Sequence, residues 1–185
     1  LSAQGTWSLA RNAGTGTGVN DNQTASSDTV KAASVPARGG GTTYAVIRTF
    51  MYFDCRGVLV VPDSATLNIY GAYNNSADFY VVKADSGIDT LSTADFDEIV
   101  GWSGFGVDNE NNVTKYSREI TSWSIGGYNT IRLNSTALQD MPGNTLYVCL
   151  IESVHDLRNV QPSATYRNGM HFADSAGTIT DPYVN

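Results

Sequence analysis

Apolar residues in this chain come in short runs, and nowhere do they hold a helical spacing for three turns. The nearest approach is TLSTADFDEIV, residues 90–100, where Thr93 would cap a short turn and Phe96, Ile99 and Val100 would face inward. Elsewhere the runs are strand-length and are punctuated by Gly, Asn, Asp and Ser. A chain patterned this way buries its apolar side chains by pairing strands and stacking sheets. The expected fold is all-β: a single antiparallel jelly-roll-like β-sandwich of about nine or ten strands over residues 1–185.

The predicted strands are TWSLAR, TVKAAS, YAVIRTFMYFD, ATLNIYGAY, DFYVVKAD, KYSREITSW, TIRLN, TLYVCLIES, GMHFAD and a final PYVN. A polar tract at 12–29 and the linker PARGGGTT make residues 1–43 loop-rich, a segment expected to supply edge strands or subunit contacts. PYVN is short for a strand. Either it continues past Asn185, or its edge is completed by the N-terminal segment or a neighbouring subunit. No internal repeat and no charge run interrupts the pattern.

Composition narrows the function classes. A 41% hydrophobic content supports a real core, and 185 residues make one generous domain. The net charge of -7, with eleven scattered Lys and Arg, speaks against nucleic acid as a partner. No apolar stretch is long enough for a helical membrane span. Cys55 and Cys149 form no disulfide framework; they are either buried free thiols or one bridge, with the former favoured. Sequons begin at Asn22, Asn74, Asn112 and Asn134.

Arg48 stands in the most apolar run. Along the strand YAVIRTFMYFD, Val46, Arg48, Phe50, Tyr52 and Asp54 share a face, and Asp54 lies roughly 20 Å along it, too far to pair. Arg48 must then find a carboxylate or carbonyls on a neighbouring strand, because a buried unpaired charge costs several kcal/mol; a cross-strand bridge is expected, with a ligand contact as the alternative.

Catalytic motifs fail on inspection. Gly14, Gly16 and Gly18 fit no phosphate-loop spacing, and GWSGFG, 101–106, misses the nucleophile-elbow spacing by one place. His155–Asp156 and His171 with Asp174 lack a positional signature for a triad. No catalytic residue and no cofactor is expected. The one metal candidate is calcium at 108–119, where Asp108, Glu110, Asn112 and Glu119 fall at loop positions 1, 3, 5 and 12, although Val113 replaces the turn glycine. The loop aromatics Trp102 and Tyr73 are candidates for stacking on a sugar or touching a partner. Trp7 and Trp123 are expected to pack.

Five segments occur in an order that carries a resemblance: W-x-x-A-R-x-A (Trp7, Ala10, Arg11, Ala13) and R-x-F-x-x-F-D (Arg48, Phe50, Phe53, Asp54), followed by A-T-L-x-I-Y-G (Ala65–Gly71), S-W-S-x-x-G-Y-N (Ser122–Asn129) with Leu133–Asn134, and D-P-Y (Asp181–Tyr183). This set resembles the DNRLRE-like jelly-roll β-sandwich modules of extracellular bacterial proteins and phage structural proteins. The resemblance implies a non-catalytic module for display, adhesion or assembly. Cys55, where such modules carry a small polar residue, and the longer DNENN loop depart from the pattern. The expected function is therefore a structural or attachment module on an outer surface. It would be a virion component (capsid decoration, head or tail fibre) or an extracellular filament subunit, partnered by itself or by other surface proteins. The alternative is a secreted carbohydrate-binding module with surface glycans as ligands.

Overall fold

The computed structural model of the protein describes residues 1–19, 28–36, 41–85, 90–104, 106–171 and 178–185. It is an all-β, antiparallel two-sheet structure of ten strands: β1 (Ser2–Gly5), β2 (Asp28–Pro36), β3 (Thr42–Ile47), β4 (Thr49–Asp54), β5 (Thr66–Asn75), β6 (Phe79–Lys83), β7 (Tyr128–Arg132), β8 (Thr145–Glu152), β9 (Thr165–Met170) and β10 (Tyr183–Val184). The larger sheet runs β1-β3-β2-β9-β5-β10, with β7 on the opposite edge of β5, and the smaller runs β4-β8-β6. Leu67 pairs with Val184 on one side and Ile131 on the other, so β10 and β7 flank β5.

Alternation explains the main core. Leu67 and Ile69 of β5, Ile131 of β7 and Met170 of β9 face Phe79 and Val81 of β6 and Leu146, Val148 and Leu150 of β8 between the sheets. The other face of the smaller sheet is buried too. Tyr80, Val82, Cys149 and Ile151 pack under Ile99, Val113 and Leu157, which belong to connecting segments. This double cover is why FYVV and VCLIE are buried continuously instead of alternately. The long connection after β6 is thus a lid of core rather than a loose loop. Val100 N–H donates to Lys83 O at 3.0 Å, and Lys83 N–H donates to Thr114 O at 2.8 Å. Cys55 and Cys149 are both buried thiols with no disulfide between them. Cys149 sits opposite Phe50 while Cys55 follows Asp54, a separation along the ladder far beyond disulfide reach.

Four predicted strands differ. TWSLAR forms a short helix, α1 (Trp7–Arg11), with Thr6 as its N-cap; Trp7, Ala10 and Arg11 are buried, the i, i+3, i+4 spacing of a helix too short to show a period. KYSREITSW makes only isolated bridges, Lys115 to Val82 and Ile120 to Phe79, beside the edge of β6. YAVIRTFMYFD is two strands in two different sheets, β3 in the larger and β4 in the smaller. Arg48 is the residue at which the chain crosses between them, and its N–H donates to Leu1 O at 2.9 Å. The predicted GMHFAD strand ends at Met170, and the Asp174 of the discarded triad lies outside the described residues, as do residues 37–40 of PARGGGTT. A second short helix, α2 (Ser135–Asp140), is capped by Asn134.

Candidate functional site

The crossing residue is the centre of a buried charge cluster. Arg48 and Asp156 are both 0% exposed. Arg48 donates from Nε and Nη2 to the two Asp156 carboxylate oxygens at 2.8 Å each, from Nη1 to Phe96 O at 2.8 Å, and from Nη2 to Arg11 O at 3.0 Å. The clamp is therefore real, but its carboxylate comes from a π-helical turn (Ser153–Leu157) after β8 instead of from a strand. Glu152 shapes that turn by accepting hydrogen bonds from the backbone N–H groups of Val154, His155 and Asp156. Burial pushes the Glu152 carboxyl up to about 7, against the pull of those N–H donors. Arg11, also fully buried, donates to the carbonyls of Asp156, Val107 and Leu157. These bonds tie the connecting segments to the sandwich.

The predicted loop aromatics are part of the same architecture. Trp102 lies under the guanidinium groups of Arg48, 4.0 Å away, and Arg11, 4.8 Å away. Tyr73 hydrogen-bonds Thr29 through its hydroxyl and stacks with Arg167. A Cβ at Gly169 would fall 2.2 Å from the Tyr73 ring, so only glycine lets β9 pass. Trp7 donates to Asn159 and Trp123 donates to Gly169 O, both within the packing. Asp54 is exposed and pairs with its neighbour Arg56.

The predicted calcium residues meet a cation of the chain's own. Arg158 donates to Glu110 from Nε and Nη2 at 2.8 Å each and lies 3.2 Å from a Glu119 oxygen. The hydrogen bonds from Arg158 hold the Glu110 carboxyl down to about 2. Asp108 instead accepts the Glu110 N–H, and Asn112 donates to the Asp108 backbone carbonyl. Among the described residues no group of three or more His, Cys, Asp or Glu is placed to hold a metal ion. Two sequon asparagines are also occupied: Asn74 donates to Trp123 O and Asn134 to Lys115 O.

Among the described residues three surface features remain, two of them formed in part by residues of the resemblance motifs (Tyr70, Tyr128, Tyr183 and the Ser122–Asn129 segment). The first is the loop after β4, where Leu59, Val60 and Val61 are 86%, 74% and 53% exposed. It is fixed at its base by Val58 N–H to Cys55 O and Gly143 N–H to Val58 O, both 2.9 Å. The second is a row of edge-to-face rings on the outer face of the larger sheet, Tyr70 to Tyr128 at 5.3 Å and Tyr128 to Tyr183 at 5.2 Å. The third is an open groove of about 910 Å³ between the edge of β7 and the segment 117–124. Asn129 closes one end, its side chain accepting the Ser124 N–H and donating to Ser124 O. The other end is closed by Asn134, which donates to Tyr116 O and Lys115 O. Between those ties the segment bows away from the sheet.

No protein-family model matches the chain, and no curated protein matches it in sequence. The resemblance drawn from motif order rests on the motifs alone.

Proposed function

We propose that the chain is a non-catalytic structural or attachment module of an assembled outer surface: a virion component such as a capsid decoration or a head or tail fibre, or an extracellular filament subunit. The observation that carries this reading is the exposed Leu59–Val61 tip on a fixed loop. A stiff aliphatic tip in an acidic chain favours contact with another protein surface. Each such side chain contributes about 1.5–3 kcal/mol when fully buried, a weak single contact that repetition across a lattice multiplies. The motif order and the use of the buried charges for architecture support the same reading. Its test is sedimentation velocity of the whole chain over a concentration series, beside Leu59→Asp/Val60→Asp. Association that grows with concentration and disappears in the variant, with its thermal midpoint unchanged, is the expected result. A monomer at every concentration that also binds no other surface protein counts against the reading.

The tyrosine row favours a second reading, glycan binding, because exposed rings stack on sugar faces. A glycan array answered by the parent chain but not by Tyr183→Ala would support it, and silence of the array would remove it.

A further inference from the structure

We propose that the groove beside β7 is a strand-addition site for an acidic, extended segment of a partner polypeptide. Among the described residues β7 pairs only with β5. Leu133 N–H donates to Ala65 O, and ladder bonds alternate from there, so residues 131 and 129 turn their backbone groups toward β5. Tyr128, Thr130 and Arg132 therefore point their N–H and C=O groups into the groove. A row of unsatisfied backbone groups is a template for one more strand.

The tied ends make the vacancy a bounded one. Asn129 and Asn134 hold segment 117–124 to the strand at both ends, and the space between them lies at the upper end of the roughly 300–1,000 Å³ of typical ligand sites. A strand laid there would turn alternate side chains toward Ile120 and Ile131, between the sheets, and the others outward beside Tyr128, Thr130 and Arg132.

Charge selects the occupant. Arg118 and Arg132 are exposed on the groove, and neither belongs to an ion pair among the described residues. Glu119, the carboxylate on the same wall, is already engaged by Arg158. In a chain of net charge -7, two arginines outside any ion pair among the described residues, one on each wall of the groove, match a segment that alternates acidic with apolar residues. A second copy is a poor occupant, because β7 paired with β7 would bring both pairs of arginines into one groove.

The site lies on different residues from the 59–61 tip, so the two ideas fail in different experiments. A random ten-residue peptide library is panned on the intact chain, and enriched peptides are synthesised and titrated by fluorescence anisotropy. Thr130→Pro removes one groove-facing N–H while leaving the β5 ladder intact, and Arg118→Glu/Arg132→Glu reverses the charge. Enrichment of alternating acidic and apolar peptides is expected, with binding at least tenfold weaker in each variant at an unchanged thermal midpoint. If Thr130→Pro unfolds, backbone N-methylation of the peptide replaces it and should abolish binding. Three results would overturn the proposal: no acidic enrichment, equal binding by Thr130→Pro or by the N-methylated peptide, or occupation of the groove by an oligosaccharide or a second copy instead.

Discussion

Replacing Arg48 by methionine keeps much of the side chain's bulk and deletes its guanidinium. Four hydrogen bonds go with it, two to Asp156 and one each to Phe96 O and Arg11 O. The Asp156 carboxylate, 0% exposed, is left without its bidentate partner. Breaking a buried pair in this way costs about 3–5 kcal/mol, because one charge stays behind uncompensated. For a chain of this size that corresponds to a drop of roughly 6–20 °C in thermal midpoint. Urea unfolding followed by tryptophan fluorescence reports it directly, since Trp102 lies 4.0 Å from the guanidinium. The companion is Arg48→Met/Asp156→Asn, which removes both charges and should recover a large part of the loss. A single variant that loses less than about 1 kcal/mol, or a double variant whose loss equals the sum of the two singles, refutes the claim that this pair pins the crossing between sheets.

Glu152 supplies a pH signature. Its carboxyl is pushed from 4.5 up to about 7 in the fold, so the protonated form is favoured there; this contribution is complete below 4.5 and is lost as pH rises toward 7, at most about 3 kcal/mol. Burial lowers His155, whose contribution instead grows as pH rises toward 6.5, so the effect is read as the difference between the parent and Glu152→Gln in urea midpoints from pH 4.5 to 8. A flat difference would contradict it. Excess calcium should leave the thermal midpoint unchanged, because Arg158 already holds Glu110 and Glu119. A rise of several degrees would show that the ion displaces the guanidinium. Gly71→Ala should be severely destabilising, since its Cβ would fall 1.9 Å from Ser124 O at the groove wall. A calorimetric midpoint within a degree or two of the parent would exclude that contact.

The strands around the core were legible because their side chains obey one period. Leu67, Ile69, Phe79 and Val81 alternate, and the gaps between runs carry turn residues. What broke the reading was tertiary context. Arg48 interrupts an apparently continuous strand because the chain changes sheets there, and its partner Asp156 lies 108 residues away on an irregular turn that no periodicity announces. The need for a clamp on Arg48 was readable from the cost of burying a charge, whereas the identity of the clamp was not. Trp102 looked like an open loop ring between small residues, since nothing local signals two guanidinium groups arriving from residues 11 and 48. The acidic spacing at 108–119 was real, but its counter-charge, Arg158, is distant in sequence. The groove depends on which edge of β7 stays unpaired, a property of topology rather than of any residue.

The central claim is that this sandwich serves an assembled outer surface through contacts instead of chemistry. Electron microscopy of the native source material, with gold-labelled antibody raised against the purified chain, tests it most directly. Regularly spaced label on the outside of particles or fibres is the predicted result. Label confined to dispersed, unassembled protein would contradict it.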